Sequence, residues 1–548
     1  MSVKRYFWPF AVVVGILWLT TITVRSTAVS SVSPPSVASI KIETPVVDAV
    51  NGELARLWEA NHVLPAEPTE DLTVLRRLSL ALHGTIPSLE EIREFESDHS
   101  ADRLDRWTES MLRDDRFSDY FAERLARSYV GVENGQFLIF RRDRFISWLT
   151  KQLQQNRAYD DIVRDMISEN GVWTGEGEVN FLTSAYANNE FDPNKLTART
   201  ARAFLGQRID CAQCHDHPFD HWTQAEFEGI AAHFAQVQLS LAGVVDGKKK
   251  EYVIDEGEVQ RTVAPAVPFN PEWLGEEGTR RQKLAEWVTH SENARFELAT
   301  ANRIWALMFG RPFAVDLAVD DLPDPGKDPD LEMLHILGKD FREHGYDLRR
   351  LIRVIASSQA FRMSSESPHT GQQLQPGQSH DLDRVSEMID SAERYWGVFP
   401  LVRLRPEQVI GSMLQANNIR TIDQNSHLVI RAMRFVRERD FVDEFGDPGD
   451  DELQDRSGTI PQALLRMNGK FAGELTQNNP FFAPGRISTV AATPAKKIDS
   501  IYLCCLTRLP SASERDYFLT VFEEHKSNQS VEDLFWILFN SPEFSWNH

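Results

Sequence analysis

The string Cys211-Ala212-Gln213-Cys214-His215 concentrates more reactive chemistry than any other part of the chain. Two thiols three positions apart, followed at once by an imidazole, form the attachment sequence for a c-type haem. The thiols add across the two vinyl groups of the porphyrin, and the histidine supplies the proximal nitrogen to iron. Only four cysteines occur in 548 residues, so the spacing is not a by-product of cysteine abundance.

Asp216-His217-Pro218-Phe219-Asp220-His221-Trp222 follows directly and adds ligands that a plain haem site does not need. Cys211, Cys214, His217 and His221 make a thiolate and imidazole set of the kind that holds zinc or iron. His215 and Asp216 are further metal candidates, and Asp216 and Asp220 can orient imidazoles by accepting ring N–H bonds. A Cys211–Cys214 disulfide is a third reading, which leaves the histidines unexplained. A second axial ligand to a haem is not defined by the sequence. His233 is a candidate, although a single histidine on a helix is more often a surface or core-edge residue.

The other two cysteines, Cys504 and Cys505, sit in the apolar stretch Ile501–Leu506 and read as small buried hydrophobes. The chain has no G-x-S-x-G elbow and no H-E-x-x-H helix. Gly171–Gly177 lacks the strand and the Lys-Ser/Thr of a phosphate loop, so it reads as a plain loop. Asp316, Asp320 and Asp321 read as a solvated acidic loop.

The motif needs elements on either side to hold it. Lys195–Gly206 has helical spacing and runs into the motif. Thr223–Phe234 runs out of it, with Thr223 as N-cap and Phe227, Ile230, Ala231 and Phe234 on one face. Upstream, helices are expected at 102–113, 118–129, 142–155 and 159–169, and Ser88 with Glu91 forms a capping-box pattern. Residues 237–268 break the helical trend. There Tyr252–Ile254 and Val259–Val263 flank Asp255-Glu256-Gly257 as in a small hairpin. Helices are expected again at 279–289, 298–309, 330–344, 348–357, 406–416, 460–467 and 531–539. The fold class is therefore mainly α, as multi-helix domains with a small β insertion near 237–268.

The N-terminus sets the compartment. Lys4 and Arg5 precede an 18-residue, almost uncharged run, Phe7–Val24, that ends at Arg25. A basic flank before such a run marks a signal anchor or secretory signal peptide, here 1–25. The positive flank stays inside, which puts the chain on the periplasmic side, on a single N-terminal anchor or released. Residues 26–50 then read as a linker, 51–236 as a helical domain with the motif, 237–270 as the β insertion, and 271–548 as a helical C-terminal domain with a loop at 364–380. A net charge of −22 argues against nucleic acid as a partner.

These residues resemble a known pair of families. Leu75-Arg76-Arg77-Leu78, Gly84-Thr85-Ile86-Pro87 and Cys211–Asp220 with Trp222 are similar to the planctomycete cytochrome-like exported domain. Ala301-Asn302-Arg303-Ile304-Trp305, Val319-Asp320-Asp321-Leu322, Met467-Asn468-Gly469 and Asn540-Ser541-Pro542-Glu543-Phe544 resemble its companion, a planctomycete-specific domain of unknown function. The resemblance implies export and a second secreted partner protein of unknown function. The leading expectation is an exported electron-transfer protein with one covalent haem on Cys211, Cys214 and His215. The alternatives are an exported zinc or iron enzyme, such as a hydrolase, using the Cys211–His221 cluster, and a non-catalytic envelope scaffold.

Overall fold

In the computed structural model the described residues are 44–548, apart from 133–139, 176, 248–249, 257–258, 370–378, 526 and most of 424–469. The Phe7–Val24 run and half of the expected helix at 460–467 lie outside them. Residues 42–548 pack as one compact unit. Helices dominate the described residues and strands pair only two by two, so the chain is mainly α with small β insertions.

Most helices form where the apolar spacing puts them, at Arg103–Arg113, Asp115–Val130, Arg142–Gln154, Tyr159–Ser168 and Leu348–Ser357. The Ser88 capping box is complete: Glu91 N–H donates to Ser88 Oγ at 3.0 Å and Ser88 N–H to Glu91 Oε2 at 2.8 Å. The first described helix, Thr44–Ala60, begins inside the segment read as linker. Pro45 lies in its first turn, where a missing N–H breaks no intrahelical bond.

The expected hairpin is present as Tyr252–Glu256 against Val259–Val263, and a second one precedes it, Val237–Ser240 against Gly243–Asp246. The second turns on Gly243, at φ +106°, where a Cβ would lie 2.1 Å from the Gly171 carbonyl oxygen. Only glycine lets that turn reach the loop after Tyr159–Ser168, where Gly171 and Val244 form a bridge.

The N-terminal and C-terminal parts are tied by two fully buried arginines on the helix Asp71–His83. Arg76 donates to the carbonyls of Cys505 (3.2 Å) and Phe544 (3.3 Å). Arg77 donates to those of Phe361 (2.9 Å), Met363 (2.7 Å) and His548 (2.8 Å), with its guanidinium over the Phe399 ring. Burial pulls both below the usual arginine range, Arg76 to about 10 and Arg77 to about 9. Five carbonyls from distant segments converge on these two side chains, and desolvating two cations is tolerable because so many acceptors meet them. The apolar core is continuous across the same boundary: residues from Val50 to Leu503 form one cluster, and Leu80 and Ile86 join a second with Ile498–Phe544.

Candidate functional site

The approach to the motif is not a plain α-helix. Pro193–Thr200 is α-helical, with Asp192 as N-cap, and the next five residues, Ala201–Leu205, widen to π geometry before Gly206. A π turn puts carbonyls out of the usual register, and a side chain from elsewhere accepts the task of pairing them. Arg303, on the helix Ala294–Phe309, donates to the Arg202 carbonyl at 3.1 Å. Gly206 is left-handed (φ +61°) and meets the same helix so closely that a Cβ would lie 3.1 Å from Ala299 Cβ. Its carbonyl accepts from Leu322 N–H at 2.8 Å.

Beyond Gly206 the chain is pinned at both ends of the motif loop. Gln207 donates to the Gly206 and Leu322 carbonyls and accepts from the buried Trp222 indole N–H at 3.0 Å. Arg208 pairs with Asp320 at 2.8 Å, and its N–H donates to Asp321 at 3.2 Å. The string 319–322 thus clamps the entrance to the motif, where the sequence suggested a solvated acidic loop. Burial raises the Asp321 carboxyl above its ordinary range. At the exit, Thr223 and Glu226 form a full capping box on Gln224–Phe234, the N-cap expected for that helix.

Between these pins Cys211 lies on a single 3-10 turn, Asp210–Gln213, closed by Cys214 N–H donating to the Cys211 carbonyl at 3.3 Å. Both thiols are free and exposed. The histidines that follow are exposed or half-buried, and their hydrogen bonds separate them into different chemical states. His215 Nδ1 lies 2.7 Å from the Asp216 carbonyl, which can only accept. Nδ1 therefore carries the proton and the Nε2 lone pair is open, the tautomer of a ligating imidazole. His217 is opposite: its Nδ1 accepts from Phe219 N–H at 3.3 Å, which puts the neutral ring's proton on Nε2. His221 Nδ1 is held by Asp220 at 2.6 Å, with Nε2 4.0 Å from Asp324. Arg295 and Lys327 hold the Asp324 carboxyl below its ordinary range against the opposing effect of burial.

Asp216 is committed to structure, since its carboxylate accepts from Gln224 N–H at 2.9 Å at the start of the exit helix. The anion there also faces the positive end of that helix. Asp220 holds His221, the orienting role expected of it. Cys211, Cys214 and His215 share one short loop with their reactive atoms open, and this donor set fits a covalently held haem. Among the described residues no group of three His, Cys, Asp or Glu side chains converges as a metal site. His233 is buried, its Nδ1 donates to the Gly229 carbonyl at 3.1 Å, and burial lowers it to about 4.

Sequence reasoning found the motif and its exit helix but gave no role to Gln207, Arg208, Arg295 or Arg303. Asn302-Arg303 stood out only as part of a family-like string, and 319–322 as such a string that otherwise read as a solvated acidic loop. Their structural work is now visible: Asn302 bridges the Val319 carbonyl and Phe313 N–H, which aims the 319–322 clamp at the motif.

This geometry is that of a helical protein whose first half presents a Cys-Cys-His loop and whose second half braces it. Residues 49–239 match the family model PSCyt2, a protein of unknown function (DUF1549), and residues 280–522 match PSD1, a protein of unknown function (DUF1553). The chain belongs to these two families in tandem, the arrangement its motifs resemble. No curated protein and no solved structure matches it.

Proposed function

We propose that the protein is an exported electron carrier with one covalently attached c-type haem. The single observation that carries this reading is the state of His215: its Nδ1–H is satisfied by the Asp216 carbonyl, so Nε2 is the open nitrogen, beside two free exposed thiols. Cys211 and Cys214 would hold the group through thioether sulfurs, and His215 Nε2 would bind its iron. Bound haem supplies one-electron chemistry. Phe219, 94 % exposed, offers an apolar side chain in the same loop. The π turn, Gly206 and the Arg208–Asp320 clamp keep the loop in one orientation.

Thioether formation takes place outside the cytoplasmic membrane, and the basic flank at Lys4 and Arg5 before Phe7–Val24 supports export to that side. The chain is then anchored by that run or released to the periplasm, and a second secreted protein is its electron-exchange partner. Among the described residues, 44 onward, no helix is long and apolar enough to cross a membrane.

The test is expression with an export signal and a haem-attachment system, followed by a reduced-minus-oxidised spectrum and a haem stain of the denatured chain. Haem that stays with the denatured chain, and is lost in Cys211→Ala/Cys214→Ala, is the expected result. A colourless protein that binds stoichiometric zinc or iron, released by His217→Ala, overturns it in favour of a metal-dependent enzyme. A protein with neither group is a scaffold.

A further inference from the structure

An acidic chain has gathered arginines around one cavity. The cavity has a volume of about 950 Å³ and is lined, among the described residues, by nine arginines and no lysine against five carboxylates, a formal excess of four positive charges in the lining. Glu123, Asp210 and Glu407, outside it, pair with Arg127, Arg202 and Arg405. The overall charge is −22, so this excess is a local feature of the fold and not a reflection of composition. The carboxylates Asp316, Glu387 and Asp390 are exposed, whereas Arg303 and Arg405 are buried. Arg303 and Arg405 thus put positive charge at depth, while Arg394 and these three carboxylates face solvent.

Two of these arginines bring hydrogen-bond donors that have no partner among the described residues. Arg303 is 4 % exposed and spends one nitrogen on the carbonyls of Arg202 and Ala203, while its Nε has no partner among the described residues. Arg311 donates from Nη2 to the Glu393 carbonyl, while its Nε and Nη1, both buried, have none. The Arg311 guanidinium carbon sits 4.0 Å from the Trp396 ring centroid. One face of the planar group is thus covered, which fixes its orientation and leaves donors on its edge. Burial lowers Arg311 to about 10, so it stays charged at neutral pH. Buried donors without acceptors cost free energy, and a small shift of either side chain toward the cavity would let an oxyanion bound there satisfy them.

We propose that this cavity binds a small polyanion, a molecule with several carboxylate, sulfate or phosphate groups on a partly apolar body. Guanidinium groups match planar and tetrahedral oxyanions through paired N–H donors, which a lysine cluster does not do. Leu307, Leu317 and Trp546 give the cavity an apolar side for the ligand's body. The volume is that of a small-molecule site, near the upper end of the usual range of about 300–1,000 Å³. Arg202 and Arg208 also line it. Arg208 is three residues from Cys211, at most about 11 Å of extended chain, so the anion site adjoins the Cys-Cys-His loop. The proposal does not rest on haem, because the cavity is formed by the chain alone.

Isothermal titration of the full chain with tripolyphosphate, citrate and sucrose octasulfate tests it, with neutral sucrose as the reference. Binding of at least one polyanion is expected, weakening as salt rises from low to physiological ionic strength. The preferred probe then names the oxyanion. Arg311→Gln is expected to weaken that binding about tenfold or more, while Arg394→Gln, at an exposed position, has a smaller effect. No heat with any polyanion, affinity independent of salt, or sucrose binding as well as its octasulfate overturns the proposal. Unchanged affinity in a folded Arg311→Gln protein overturns it as well. Salt dependence in the unaltered chain decides the matter should that variant fail to fold.

Discussion

The two cysteine pairs of this protein are made of the same side chains and stand in opposite environments. Cys211 and Cys214 lie on an exposed 3-10 turn, pinned from both sides by Gln207, Arg208 and Trp222. Cys504 and Cys505 lie inside the helix Pro494–Leu506, packed among Ile501, Phe535 and Phe539 in the C-terminal core. Burial pushes the Cys504 thiol up to about 12 and Cys505 higher than its ordinary value as well. The contrast teaches that cysteine chemistry here is decided by access and not by number. One pair is open to solvent and to reaction, and the other behaves as two small apolar groups.

The largest effect expected from this contrast is on the cofactor. Cys211→Ala/Cys214→Ala should abolish covalent haem completely, read by haem stain, while the thermal midpoint of the haem-free chain stays close to that of the parent. Exposed substitutions away from buried networks usually change stability by less than about 0.5 kcal/mol. Retention of covalent haem would erase the distinction between the pairs.

Thiol labelling of the haem-free protein comes next. Two of four thiols should react under native conditions, and the other two on the order of a thousandfold more slowly, since they await unfolding. Mass spectrometry of the labelled peptides assigns them. Labelling of Cys504 at the rate of Cys211 would show that the C-terminal core opens.

Smaller is the cost of a polar atom in the buried pair. Cys505→Ser should lower unfolding free energy by about 1–3 kcal/mol, measured by urea titration, because a hydroxyl replaces a thiol among apolar side chains. Cys214→Ser, at the exposed site, should cost far less. Equal losses would break the comparison.

The gentlest probe is pH. The buried thiols have raised folded values, so their stabilising effect is complete below the unfolded value of about 9 and is lost as pH rises toward about 12. The buried histidines act at the other end. His83 and His233 are lowered to about 4 from 6.5, so their contribution is present above 6.5 and fades as pH falls toward 4. Stability measured by urea titration should fall on both flanks. A Cys504→Ala/Cys505→Ala chain should show a shallower alkaline slope, the part left being that of buried tyrosines such as Tyr129 and Tyr159, and keep the acid one.

How much could be read in advance follows the range of each interaction. The exit helix was legible because Thr223, Glu226 and Phe227 lie within one turn and the capping box is a local event. The second hairpin at Val237–Asp246 was not, because its turn depends on Gly243 meeting Gly171, more than seventy residues away. The 319–322 string looked like a solvated acidic loop because nothing near it in sequence reveals that Arg208 is its partner.

The order of thiol, thiol and imidazole in Cys211–His215, and the helices on either side, were determined by the sequence alone. They depend on neighbours within a few positions and on periods of 3.6 residues. Tertiary structure alone decided which thiols meet solvent and that arginines from 127 to 405 share one cavity. Those outcomes rest on contacts between segments tens to hundreds of residues apart, and such contacts leave no periodic trace in the chain.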